Sequence, residues 1–146
     1  MAIRYFSEDT DFKPSQPRKR ISWIKSIIKK EHAELDSVNY IFCSDRFLLA
    51  LNQEYLGHNT YTDIITFNTS SNAGKISGDI YISIDRVREN AKKYKAIEND
   101  ELDRVMIHGI LHLLGYKDKN PQEKAKMRKK EEACLSLRDW CSTWNK

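Results

Sequence analysis

His108 and His112 are the side chains in this sequence best suited to chemistry, because two histidines four apart on a helix stack their imidazoles on one face, close enough to share an ion. They stand in the run His108-Gly-Ile-Leu-His112-Leu-Leu-Gly115-Tyr116-Lys117-Asp118. Gly115 permits the left-handed backbone that ends a helix in a sharp turn, so Asp118 can swing back towards the imidazoles. Three protein ligands with a fourth position open to water are the usual layout of a catalytic zinc, whereas a structural zinc is closed by four ligands rich in cysteine. The expectation is one zinc ion per chain, held by His108, His112 and Asp118. Iron or manganese also suits such a set. Metzincin proteases share the spacing but carry a general-base glutamate directly after the first histidine. Here that position is Gly109, so a zinc metallopeptidase is an alternative that lacks its base.

These residues need a rigid frame, and the hydrophobic pattern supplies one. Ile21, Ile24, Ile27 and Ile28 keep helical spacing in a helix predicted from Arg18 to about Leu35, after an extended start that ends at Pro14 to Pro17. Val38 to Cys43, Ile64 to Phe67 and Ile76 to Ile82 read as strands. Ser44 is placed to cap a helix running to Leu56, which Gly57 ends. Further helices are predicted over Asp85 to Lys95, Asp100 to Leu114 and, behind the Asn120-Pro121-x-Glu123 start signal, from Pro121 to about Cys141. The pattern implies an α+β fold: a small mixed sheet of about four strands, covered by about five helices, with the metal helix of a zinc hydrolase.

The 146 residues fit one domain, taken as 1–146. No apolar run is long enough to cross a bilayer and the N-terminus is unlike a signal peptide, so the expected location is cytoplasmic, with no membrane partner. Cys43, Cys134 and Cys141 are odd in number and form no C-x-x-C pair, as expected of reduced thiols. The net charge is +4, and basic residues cluster at Arg18-Lys19-Arg20, at Lys25, Lys29 and Lys30, and at Lys124, Lys126 and Arg128 to Lys130. Such clusters permit a nucleic-acid partner, although solvated helix faces have the same composition.

The metal run resembles the signature H-G-x-L-H-L-x-G-Y-D-H of the YbeY endoribonucleases, bacterial ribosomal-RNA maturation factors. His108, Gly109, Leu111, His112, Leu113, Gly115 and Tyr116 match it. Upstream, Leu51-Asn52-x-x-Tyr55 resembles the family's LN-x-x-Y, Thr62-Asp63-Ile64-Ile65-Thr66-Phe67 resembles PTDVLSF, and Gly78-Asp79-Ile80 resembles its GDI strand. The resemblance implies a single-strand-specific, zinc-dependent endoribonuclease that helps mature the 3′ end of small-subunit ribosomal RNA and takes part in ribosome quality control. The implied partners are that RNA, the small ribosomal subunit and its assembly factors. A non-catalytic ribosome-assembly factor with a bound metal is the other alternative.

Three positions depart from the family. Asp118 replaces the last histidine ligand, Lys117 stands where an aspartate is usual, and Leu56 stands where an arginine often follows the tyrosine of LN-x-x-Y. A leucine cannot neutralise phosphate, so nearby His58 is a candidate catalytic substitute as cation or proton donor. Lys117 and Lys119 flank Asp118 and are candidate RNA-phosphate contacts. Asp63 and Asp79 belong to matched motifs, either as partners of a zinc histidine or as turn caps. Tyr55, Tyr61, Phe67 and Tyr116 also lie in or near motifs, and aromatics at such spacing are usually core, so none is assigned a base.

Overall fold

Alternating side chains of Val38, Tyr40 and Phe42, and of Ile76, Ile80 and Ile82, are buried on one face of a sheet, as their period-two spacing requires. The computed structural model describes residues 2–72 and 74–140. Its elements are β1 (Ala2–Ser7), α1 (Pro17–Lys30), β2 (Glu34–Cys43), α2 (Asp45–Leu56), β3 (Ile64–Asn68), β4 (Lys75–Ser83), α3 (Ile84–Lys93), α4 (Glu98–Leu113) and α5 (Pro121–Leu135). The sheet order is β1-β2-β4-β3, with β1, β2 and β4 parallel and β3 antiparallel at the edge. Helical crossovers join the parallel strands, as that geometry demands, so the α+β fold of four strands and five helices is the one expected.

Three elements differ from the reading of the sequence. Helix α1 stops at Lys30 and not near Leu35, because His32 takes a left-handed conformation (φ 61°) and the N–H of Ala33 turns back to the carbonyl of Ile28 at 3.1 Å. The freed residues extend β2 back to Glu34, which pairs with Lys75 of β4. Helix α5 stops at Leu135 and not near Cys141, because the chain turns to anchor Arg138 on Asp100 and Asp103 and Trp140 edge-on to Trp23. Cys141 itself lies outside the described residues. The sheet is also covered on its second face near β3, where Phe47, Leu48 and Leu51 of α2 meet Cys43, Ile65, Phe67 and Tyr81. Burial pushes the thiols up, Cys43 to about 12 and Cys134 to about 11, so both stay protonated and inert.

Helix α4 is the spine of the molecule. Leu102, Val105, Met106, Ile107, Ile110 and Leu111 bury it on nearly every side, and between 101 and 113 only Arg104, His108 and His112 reach partial exposure. These three are spaced by four and form one stripe on one face. Below them Asp103 is sealed from solvent and accepts from Arg20 Nε at 2.6 Å and Arg138 Nη1 at 2.7 Å. Arg20, grouped in the sequence with Arg18 and Lys19, is therefore an internal tie between α1 and α4 and not a surface cation.

Removing one partner of a sealed ion pair leaves a charge without compensation, which costs about 3–5 kcal/mol. Asp103→Ala should lower stability by about that amount in urea unfolding. A loss below about 1 kcal/mol would mean that the arginines do not depend on this carboxylate.

Candidate metal centre

The helix that carries the two histidines must come close to the sheet, and two glycines make room for it. A Cβ on Gly109 would lie 2.9 Å from Ile80 Cδ1, 3.0 Å from Ile80 Cγ2 and 3.1 Å from Ile64 Cδ1. A Cβ on Gly78 would lie 2.6 Å from the Phe67 carbonyl and 2.9 Å from Leu113 Cδ2. Position 109, where a protease would carry its glutamate, thus faces strands β3 and β4 and has no room for a longer side chain.

Helix α4 ends as its glycine requires. Gly115 has φ 104°, its N–H bonds the carbonyl of His112 at 3.0 Å, and the N–H of Tyr116 bonds that of Leu111 at 3.0 Å. This paired closure is the Schellman motif. The Tyr116 hydroxyl then donates to Glu31 Oε1 at 2.7 Å, while Lys130 holds Glu31 Oε2 at 2.7 Å, so the turn is pinned between α1 and α5. Asp118 returns to the histidine face as expected.

The three donor atoms form a tight triangle. His108 Nε2 and His112 Nε2 are 3.0 Å apart, and Asp118 Oδ2 lies 3.3 Å from the first and 3.4 Å from the second. Donors held at about 2.1 Å around a tetrahedral zinc stand about 3.4 Å from one another, so the triangle fits one such ion. It forms the one group of His, Cys, Asp and Glu ligands close enough to hold a metal among the described residues.

Glu131 of α5 completes the centre, and the sequence reading did not find it. His108 Nδ1 donates to Glu131 Oε2 at 2.5 Å, which leaves Nε2 bare towards the other donors. Arg104 Nη1 donates to Glu131 Oε1 at 3.1 Å and fixes the carboxylate in turn. Glu131 is only 5% exposed, in the buried row Met127, Glu131 and Cys134. An acid in an apolar row was the available signal. Burial disfavours the His108 imidazolium, but Glu131, Asp118 and Asp63 outweigh it and hold its pKa above the ordinary value. Burial and the neighbouring His108 lower that of His112.

The triangle lies where two cavities meet. One, of about 600 Å³, is walled by α2, the loop after it and β3, and includes Asn52, Leu56, His58, Tyr61 and Asp63. The other, of about 280 Å³, includes Arg104, Arg128 and Glu131, and both share Asp63, Ile64, His108 and Asp118. Burial raises the Asp63 carboxyl, partly offset by His108. Asp79 is elsewhere, accepting from Asn39 Nδ2 across the sheet at 3.0 Å. His58 lines the larger cavity, while Lys117 lines a separate one with Glu31, Tyr116 and Lys126. Lys119 is exposed beyond the turn, its backbone N–H donating to Glu123 Oε1 at 3.0 Å.

The model of the family Endoribonuclease YbeY matches residues 4–138. An endoribonuclease YbeY from Cytophaga hutchinsonii is 52% identical over 136 residues, spanning 93% of this chain and 95% of its own. Another from Flavobacterium psychrophilum is 48% identical over 132 residues, spanning 90% and 94%. The solution structure of TM1509 from Thermotoga maritima has a similar fold, with a TM-score of 0.64 and 28% identity over 97% of both chains. With sequence and fold matched over nearly its whole length, the chain belongs to the YbeY family of endoribonucleases.

Proposed function

We propose that this protein is a zinc-dependent endoribonuclease that cuts single-stranded ribosomal RNA, helping to mature the 3′ end of the small-subunit RNA and taking part in ribosome quality control. The observation that carries the reading is the donor triangle of His108, His112 and Asp118 at the junction of two cavities. A centre open on two sides admits the middle of a chain, which suits internal cleavage. In this reading the partners are ribosomal RNA, the small ribosomal subunit and its assembly factors. The chain works in the cytoplasm as a single domain, 1–146. No described helix is long and apolar enough to cross a membrane.

His108, His112 and Asp118 would hold one zinc ion per chain. When bound, the ion supplies Lewis-acid stabilisation of the phosphoryl charge and hydroxide at neutral pH. The chain's own residues do the rest. Glu131 keeps His108 in the tautomer that presents Nε2. Asp63, its carboxyl raised by burial, borders both cavities beside the reacting position. His58, on the wall of the larger cavity, is the candidate cation or proton donor near the leaving oxygen, in place of the arginine that the family often has at Leu56. Lys117 and Lys119 contact phosphates after the strand has left the cleft.

The metallopeptidase alternative is disfavoured by Gly109, which has the sheet and not the cleft in front of it. The non-catalytic alternative is disfavoured by relatives that carry the endoribonuclease name.

Purified protein should carry about one zinc per chain and cut single-stranded RNA faster than duplex. A chelator should abolish cleavage while circular dichroism stays unchanged, and His112→Ala should lose both metal and cleavage. RNA left intact by the metal-loaded protein would refute the nuclease reading.

Ligand and support can be separated by chelator competition. Glu131→Ala should weaken metal binding about 10- to 100-fold, as loss of a histidine's hydrogen-bond acceptor does elsewhere. Asp118→Ala should weaken it further, and Asp118→His should restore it. Equal affinity in the parent and Asp118→Ala would remove Asp118 from the ligand set.

A further inference from the structure

Large apolar side chains gain by leaving water, so one left exposed at the wall of a reaction cleft needs a reason. Among the described residues, the exposed large side chains include Tyr55, Leu56 and Tyr61, all at the end of α2 or in the loop after it. Leu56 and Tyr61 also line the cavity that holds the donor triangle. Tyr61 is 57% exposed.

The ring is held from behind. The Arg86 guanidinium lies over it, 5.2 Å from the centroid. Arg86 in turn donates to Asp45 Oδ2 at 2.9 Å, and Ser83 donates to Asp45 Oδ1 at 2.7 Å, so the cation is fixed at the junction of β4, α3 and α2. A cation against one face of an aromatic ring is attracted to its electron-rich π surface, which limits the motion of the ring. With one face on Arg86 and more than half the residue exposed, Tyr61 keeps surface for a second planar group to cover.

An exposed, backed aromatic residue beside a phosphodiester-cleaving centre matches one chemical class, the unpaired nucleobase. Stacking needs only a planar π surface, which every base has. A base inside a duplex already has both faces covered by its neighbours and cannot use such a platform. The family segment PTDVLSF has proline where this chain has Tyr61, so the platform is not part of the shared motif. The structure assigns Tyr61, backed by Arg86, as a nucleobase-stacking subsite that holds one unpaired base of the RNA next to the reacting phosphate and favours single strands over duplex. This assignment rests on the nuclease reading.

The test is cleavage of a single-stranded oligoribonucleotide and of a set in which each nucleotide in turn is abasic, by the zinc-loaded parent, Tyr61→Ala and Tyr61→Phe. Removing a stacked base is expected to raise the parent's KM about tenfold at one position near the cut, within the range of base stacking on aromatics. Tyr61→Ala should raise KM similarly on the intact RNA and show no further loss at that position. It should also discriminate less between single strand and duplex. Tyr61→Phe, which keeps the ring, should restore the positional dependence. Matching abasic profiles for the parent and Tyr61→Ala, at equal metal content, would overturn the subsite while leaving the nuclease reading intact. A parent that cuts no RNA would overturn the nuclease reading and the subsite with it.

Discussion

Two imidazole nitrogens and a carboxylate oxygen sit 3.0 to 3.4 Å apart, and keeping them there is the constraint on which the rest of the structure depends. Helix α4 supplies two of the atoms and cannot shift, because apolar side chains hold it on almost every side. Its distance from the sheet is set by Gly109 against Ile80 and Ile64. The third atom comes from a turn that Gly115 allows and that Tyr116, Glu31 and Lys130 pin. Each support comes from a different element, so the triangle is built by the whole fold and not by one loop.

The polar ties serve the same end. Glu131 is held by Arg104, one turn of α4 before His108, so the residue that orients the imidazole is itself oriented from the same helix. Beneath them Asp103 binds arginines from α1 and from the segment after α5. A sealed pair of this kind contributes little net stability relative to apolar packing, but it penalises any arrangement in which the helices slip. Both ties fix the rotation of α4 about its axis, which decides where the histidine stripe points.

The donor triangle was legible in the sequence because its three residues lie in one helix and the turn that follows it, where spacing alone determines geometry. Strands β2, β3 and β4 and most helices were legible for the same reason, whereas β1 was read only as an extended start. What depends on tertiary contact was not. Glu131 meets His108 across two helices, and its only local sign is an acid in the row with Met127 and Cys134. The end of α1 was missed because His32, not a glycine, takes the left-handed conformation, while Ala33 and Leu35 continue the apolar pattern. The end of α5 depends on Arg138 and Trp140 finding distant partners. The exposed Tyr61 lies in a loop with no period to read.

The larger cavity offers a polyanion few cations. No lysine or arginine lines the larger cavity among the described residues, whereas Asp63 and Asp118 do. Without an ion, two carboxylates would repel an incoming phosphate. A divalent ion held by the triangle would reverse the local balance, so that binding of a phosphate and its activation would depend on the same charge. Much of the rest of that wall is polar but uncharged, including Thr60, Thr62, Thr66 and Asn68, so it could engage nucleotides only through interactions that do not need positive charge. Attraction from lysines outside that cavity would be screened by salt and indifferent to sequence. Leu56 adds no charge to the larger cavity, so the arginines nearest the donor triangle, Arg104 and Arg128, act from the smaller one, and a strand crossing the centre would meet an uncharged wall on one side and cations on the other.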